Sequence, residues 1–184
     1  NLQITGGAFV SGAGDLTVNG NLSWQVSRDK TTTIGGTGLL TTNGTISLTG
    51  SSLNAGPNFL LQRNWDNNGT ININFGALSR NQFEIDTGAT LTNKAAGSIV
   101  FQANASTIAV FGAGTLDNQG AITYQDSNTT TIRTLFNSTG TVTATSGTLS
   151  FGGGRHHHRW HLHREWRQHP LHPADNWLGA ELHL

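Results

Sequence analysis

Gly114-Thr115-Leu116-Asp117-Asn118-Gln119-Gly120-Ala121-Ile122-Thr123-Tyr124 reads as an apolar residue, an asparagine, a glycine and then two apolar residues at alternate positions. The same unit recurs around Gly20, Gly44, Gly69, Gly97 and Gly140, and the successive spacings are 24, 25, 28, 23 and 20 residues. A period in the twenties marks a repeat architecture, in which each unit leaves its apolar face to be covered by its neighbours.

Outward from each repeat glycine the columns become explicit. Two residues after it stand Leu22, Ile46, Ile71, Ile99, Ile122 and Val142; four after it stand Trp24, Leu48, Ile73, Phe101, Tyr124 and Ala144. The residues between them are Ser, Asn, Thr or Val, so the period is the two of a strand with one buried face. Four residues before the glycine come Leu16, Leu40, Trp65, Asn93, Leu116 and Phe136. Asn93 breaks that column, and Leu91 replaces it if Ala95-Ala96 is a two-residue insertion.

Like residues stack if each repeat is one turn of a coil, with parallel neighbours about 4.8 Å apart and six turns forming a rod on the order of 30 Å long. Asn19-Gly20, Asn43-Gly44 and Asn68-Gly69 suit the corners, because both residue types tolerate positive φ and stacked Asn amides can bond along the rod. Asn-Gly is also a hairpin signal, so an antiparallel sandwich is the alternative. The return of one column at the longer period favours the parallel coil. Asn74 to Thr87 is the least regular stretch and reads as an extended turn or a loop leaving the coil. Arg28-Asp29-Lys30 reads as a solvated polar loop.

Only 11% of the 184 residues are charged and the formal net charge is zero, which argues against nucleic acid or an anionic membrane as partner. The chain has no Cys, which removes disulfides and thiolate metal sites. It has no initiating Met, signal peptide or apolar run long enough to span a bilayer, and reads as a piece of something longer.

At Gly152-Gly153-Gly154 the composition changes. Residues 155–184 contain no Thr, Ser, Val or Ile but hold all eight His and three of the five Trp. Two readings stand for this tail, to which no fold is assigned. A genuine His-rich segment would bind a divalent metal through His156, His157, His158, His161 and His163. A frameshifted translation is the other: one nucleotide on, His163-Arg164-Glu165-Trp166 can encode Thr-Val-Asn-Gly, the residues of Thr17-Val18-Asn19-Gly20. The organisation is therefore a repeat region over residues 1–154 and a His/Trp-rich tail over 155–184.

Residues 1–154 contain no His, which removes Ser-His nucleophilic pairs and imidazole metal sites there. Carboxylate chemistry remains open through Asp66, Glu84, Asp86, Asp117 and Asp126. Glu84 and Asp86 share a strand face if Phe83 and Ile85 point inward, and could hold a cation or act as an acid/base pair; a solvated face is the simpler reading. Trp24, Trp65 and Tyr124 occupy apolar columns and read as core rather than as sugar platforms. Thr31-Thr32-Thr33 and Thr129-Thr130-Thr131 read as polar β-surface, because the runs do not recur on every turn as an ice-binding array would require. Asn-x-Ser/Thr patterns at Asn21, Asn43, Asn68, Asn104, Asn128 and Asn137 arise readily in such a composition.

Gly88-Ala89-Thr90-Leu91-Thr92-Asn93, the stretch from Gly114 to Ile122, and Ser146 to Gly154 resemble the β-strand repeats of bacterial surface and secreted proteins of the filamentous-haemagglutinin and autotransporter-passenger type. The resemblance implies a right-handed parallel β-helix of about six to seven coils. It further implies an extracellular or cell-surface location and a structural or adhesive role, and it carries over no catalytic residue. Expected partners are a surface glycan or protein and, through open coil ends, a second copy; no cofactor is expected. The alternative function is a polysaccharide-binding or polysaccharide-cleaving β-helix, with Asp66, Glu84 and Asp86 and with Arg63 or Arg80 lining a groove.

Overall fold

The computed structural model describes residues 1–27, 30–50, 56–76, 81–102, 108–152 and 180–183. Its strands come in sets of three. The first coil is β1 (Leu2–Ile4), β2 (Phe9–Val10) and β3 (Leu16–Val18), and the second is β4 (Leu22–Val26), β5 (Thr32–Ile34) and β6 (Leu40–Thr42). The third and fourth are β7 (Thr45–Gly50), β8 (Gly56–Leu61), β9 (Trp65–Asn67) and β10 (Thr70–Asn74), β11 (Asn81–Ile85), β12 (Thr90–Asn93). The fifth and sixth are β13 (Ser98–Phe101), β14 (Ile108–Phe111), β15 (Thr115–Asn118) and β16 (Ala121–Tyr124), β17 (Thr129–Ile132), β18 (Leu135–Ser138). A further partial coil has β19 (Thr141–Ala144) and β20 (Thr148–Phe151), and β21 (Ala180–His183) comes from the tail.

Each strand pairs in parallel with its counterparts in the adjacent coils, giving a first sheet β1-β4-β7-β10-β13-β16-β19, a second β2-β5-β8-β11-β14-β17-β20 and a third β3-β6-β9-β12-β15-β18. The fold is a parallel β-solenoid, as the repeat predicts, and the sandwich is excluded. Among the described residues the one antiparallel pairing is β21 on β20. The His residues at 156, 157, 158, 161 and 163 lie outside the described residues, as do Arg28, Asp29 and Arg80.

The columns read from the sequence are the Cα registers of the sheets. Ile46 pairs with Leu22 and Ile71, Ile122 with Ile99 and Val142, and Tyr124 with Phe101 and Ala144. Leu91 pairs with Trp65 on one side and Leu116 on the other, so Ala95-Ala96 is indeed an insertion at the corner. Trp24, Trp65 and Tyr124 are completely buried. The rings of Phe59, Phe83 and Trp65 lie 5.5, 5.8 and 6.3 Å from that of Trp24, and Phe136 stacks on Phe151 at 4.6 Å.

Asn93, an interruption in the apolar column, belongs to another column inside the rod. Thr42 Oγ1 donates to Asn67 Oδ1 at 3.1 Å, Asn67 Nδ2 to Asn93 Oδ1 at 2.9 Å, Asn93 Nδ2 to Asn118 Oδ1 at 2.8 Å, and Asn118 Nδ2 to Ser138 Oγ at 3.0 Å. All five side chains are buried. The same Nδ2 atoms also reach corner carbonyls, Asn67 to Gly69 at 3.0 Å and Asn93 to Gly97 at 3.3 Å. A second ladder runs outside, from Asn68 Nδ2 to Asn43 Oδ1 (2.9 Å) and from Asn43 Nδ2 to Asn19 Oδ1 (2.7 Å).

Four expectations change. The repeat glycines Gly20, Gly44, Gly69, Gly97, Gly120 and Gly140 have no left-handed φ. Gly44, Gly69, Gly120 and Gly140 are required because a Cβ there would fall inside the contact distance of the glycine carbonyl one coil below. Asn81–Ile85 is no excursion: Asn81, Phe83 and Ile85 are buried at alternate positions, and β11 pairs with β8 and β14. Thr32 and Thr130 are fully buried, and the Thr32 hydroxyl accepts from the Gly7 amide at 3.1 Å and donates to the Gln25 carbonyl at 3.3 Å. Arg63 is buried as well, donating through Nε to the Gly38 carbonyl (2.6 Å) and through Nη2 to the Gly14 carbonyl (2.8 Å).

Replacing Asn93 by Leu leaves Asn118 Oδ1 without its donor and Asn67 Nδ2 without one acceptor. At about 1–3 kcal/mol per orphaned group, the expected loss is roughly 2–6 kcal/mol. Asn43→Ala in the exposed ladder should cost about 0.5 kcal/mol or less. Urea unfolding of both variants compares the two, and equal losses would remove the special standing of the interior ladder.

Candidate functional site

Glu84 stands near the end of β11, between the inward Phe83 and Ile85, with Leu60 and Phe111 as its Cα partners on the neighbouring strands. The half-buried apolar flanks desolvate its carboxylate, and Asp86 adds a like charge; both push the Glu84 carboxyl above its ordinary value. Asp86 lies just past the strand and is committed to structure at both oxygens. Its Oδ2 accepts from Gln62 Nε2 at 2.9 Å, across to the preceding coil, and its Oδ1 accepts from the Thr87 amide at 2.7 Å. Glu84 therefore has the character of a carboxylate held on a partly apolar wall, while Asp86 is a turn cap and a rung between coils.

The other residues expected in the groove are dispersed. Asp66 is on the third sheet, in register with Thr41 and Thr92, and forms an ion pair with Lys94 at 3.0 Å. Arg63 is inside the wall, where its guanidinium bridges the corner carbonyls of two preceding coils, so it cannot line a groove with Glu84. Its room comes from Gly38, where a Cβ would collide with the Gly14 carbonyl and crowd Arg63 Nη2. Arg80 and the five His residues named above lie outside the described residues. Among the described residues, no group of three or more His, Asp or Glu is placed to hold a metal ion.

Asp126 is buried and organises the turn after β16, where its Oδ1 accepts from the Asn128 amide at 3.2 Å and from Asn128 Nδ2 at 3.1 Å. That turn presents the Asn128 carbonyl to Tyr124 OH at 2.7 Å. Burial and the Asp126 charge push the Tyr124 phenol up to about 12.

Sequence reasoning missed the interior amide ladder and the buried Arg63. The first had a signal in the spacing: Asn67 and Asn93 each lie two residues after an inward apolar residue, which is the inward phase of the strand. The second had the same signal, since Arg63 lies two residues after Leu61 and two before Trp65, but a lone Arg between Gln62 and Asn64 looks like surface. Comparison of the chain with protein-family models, with curated proteins and with solved structures yields no match in any of the three.

Tyr124 is the single tyrosine of the chain, so phenolate absorbance reports it alone. Because its folded pKa lies above the ordinary value of 10.0, the associated stability is intact below pH 10 and is lost as pH rises through about 12. We expect the folded protein to titrate near pH 12 and denaturant-unfolded chain near pH 10. Asn128→Gly should lower the folded value only slightly, because the acceptor is a backbone carbonyl. An absorbance titration at both denaturant extremes provides the check.

Proposed function

We propose that this chain is a structural and adhesive segment of a bacterial extracellular or cell-surface protein, and that it performs no catalysis. The observation that carries the reading is the commitment of its unusual side chains to the stack itself. Arg63, Asp86, the interior Asn residues, Thr42 and Thr134 all tie one coil to the next. Outside, the rod offers long polar faces in strict register, the form of surface with which solenoids bind extended partners. The resemblance of the repeats to haemagglutinin and autotransporter-passenger strands supports the same role. So does a charge balance of zero, which suits neither nucleic acid nor anionic membrane.

The polysaccharide-cleaving alternative keeps one specific observation, the raised Glu84 beside Leu60 and Phe111. Incubating the full chain with acidic and neutral polysaccharides, with and without divalent cations, separates the two. The expected result is no new reducing ends and no fall in viscosity. Cation-dependent depolymerisation abolished by Glu84→Gln would overturn the structural role.

The proposal extends to end-to-end association. Among the described residues β1, β2 and β3 have strand neighbours on one side only, and so do β18 and β19. Such edges are templates for a further coil. Sedimentation velocity over a wide concentration range should show mass-dependent growth; a single monomer species throughout would refute it.

A further inference from the structure

The three outer faces of the rod differ in charge. The third sheet carries Asp66 and Asp117 and the second carries Glu84, but no strand residue of the first sheet is Asp, Glu, Lys or Arg. Its outward column is Gln3, Ser23, Ser47, Asn72, Val100, Thr123 and Thr143, paired in unbroken parallel register. Beside it a second row runs from Thr45 to Thr141, and at the far side Asn74 Nδ2 donates to Gln102 Oε1 at 3.1 Å. Seven strands at about 4.8 Å make this strip on the order of 30 Å long. Apart from glutamines such as Gln3 and Gln102 its side chains are short, and most are half-buried.

We propose that the outer face of the first sheet is the adhesive surface, and that it takes an extended neutral polysaccharide. The inference rests on the adhesive reading above and names the ligand class. Charge decides against other polymers: an ionised group buried on this face would lose water and gain no counter-charge. Hydroxyls and amides each donate and accept, which matches the hydroxyl pairs of a sugar. A single such bond contributes only about 0.5–1.5 kcal/mol net, so useful affinity requires many of them along a long ligand. A long open sheet face suits a chain of sugars better than a small molecule, which needs a concave pocket. Val100 and Ala121 interrupt the polar rows with apolar ground for the C–H face of a ring.

Affinity electrophoresis of the full chain through gels containing dextran or mannan, and in parallel alginate or polygalacturonate, tests it. The expected result is retardation by a neutral polymer and none by the acidic ones. Asn72→Arg should weaken retardation at least about tenfold, equivalent to about 1.4 kcal/mol. Thr92→Arg, on the third sheet between Asp66 and Asp117, should leave it unchanged. Circular dichroism confirms that each variant is folded, and Asn72→Ala serves as a milder probe with a smaller loss expected. The proposal falls if no neutral polymer retards the chain, if acidic polymers retard it more, or if Asn72→Arg and Thr92→Arg act alike. It also falls if Asn72→Arg abolishes self-association instead, which would give the face to a second copy. Cell adhesion that survives Asn72→Arg defeats this assignment and leaves the adhesive role standing; depolymerisation defeats that role independently.

Discussion

The hydrogen-bonded column Thr42–Asn67–Asn93–Asn118–Ser138 is the interaction on which the rest of the rod depends. A buried amide is costly unless both its N–H₂ and its carbonyl are paired, and here each Asn finds its partners in the adjacent coils. Parallel strands repeat at the same distance as stacked amides, so the column is satisfied only when coils lie in one register. Slipping a strand by one residue would turn Asn93 outward and bring Thr92 in, so that Asn67 loses an acceptor and Asn118 its donor. The column is also closed at both ends within the chain. At one end Thr42 accepts from Trp65 Nε1 at 2.8 Å, while at the other Ser138 Oγ donates to the Gly140 carbonyl at 3.4 Å.

Register alone does not close the coil; the corners must also approach closely. At the corner between the third and first sheets, glycine after glycine sets its Cα on the carbonyl of the coil below, and any Cβ would push the coils apart. At the corner between the second and third sheets a Cβ on Gly38 or Gly114 would likewise collide with carbonyls of the coil below, while the same position elsewhere is held by Ala89 and by the larger Arg63 and Thr134. Thr134 Oγ1 bonds to the Gly114 carbonyl at 2.6 Å, and Arg63 reaches past Gly38 to Gly14. A buried guanidinium needs hydrogen-bond acceptors, and it reaches the Gly38 and Gly14 carbonyls only because the small residues beneath leave it a path.

Much of this architecture was legible in the sequence, because the inward columns of the first and third sheets hold to the repeat glycine. The two-residue offset at Ala95-Ala96 was enough to set Leu91 opposite Trp65 and Leu116, and the columns put Trp24, Trp65 and Tyr124 in the core. The second sheet resisted because its phase does not hold. Asn58 in β8 and Ala109 in β14 are extra residues at shifts of register, and such bulges break the alternation that reveals a strand. Thr32 misled for another reason: a hydroxyl that bonds to the backbone of its own coil can sit inside, and composition does not show that bond. Of the candidate site, the alternation placed Glu84 outward correctly, while the commitment of Asp86 to Gln62 and of Arg63 to Gly38 depends on partners about one coil away.

A solenoid separates what must stay from what can vary. An inward residue touches both adjacent coils, so its replacement disturbs packing in each; an outward residue is largely free of that burden. Each outer face is therefore a one-dimensional array whose chemistry can be set independently of the fold, and the three faces of this rod have been set differently. One mixes Leu60 and Phe111 with a carboxylate, one pairs Asp66 with Lys94, and one carries hydroxyls and amides with no charge among them. The interior ladder keeps these arrays straight and in phase. Recognition by such a rod depends on the repetition of weak, aligned contacts along a face rather than on a pocket, and that alignment is what the buried amides enforce.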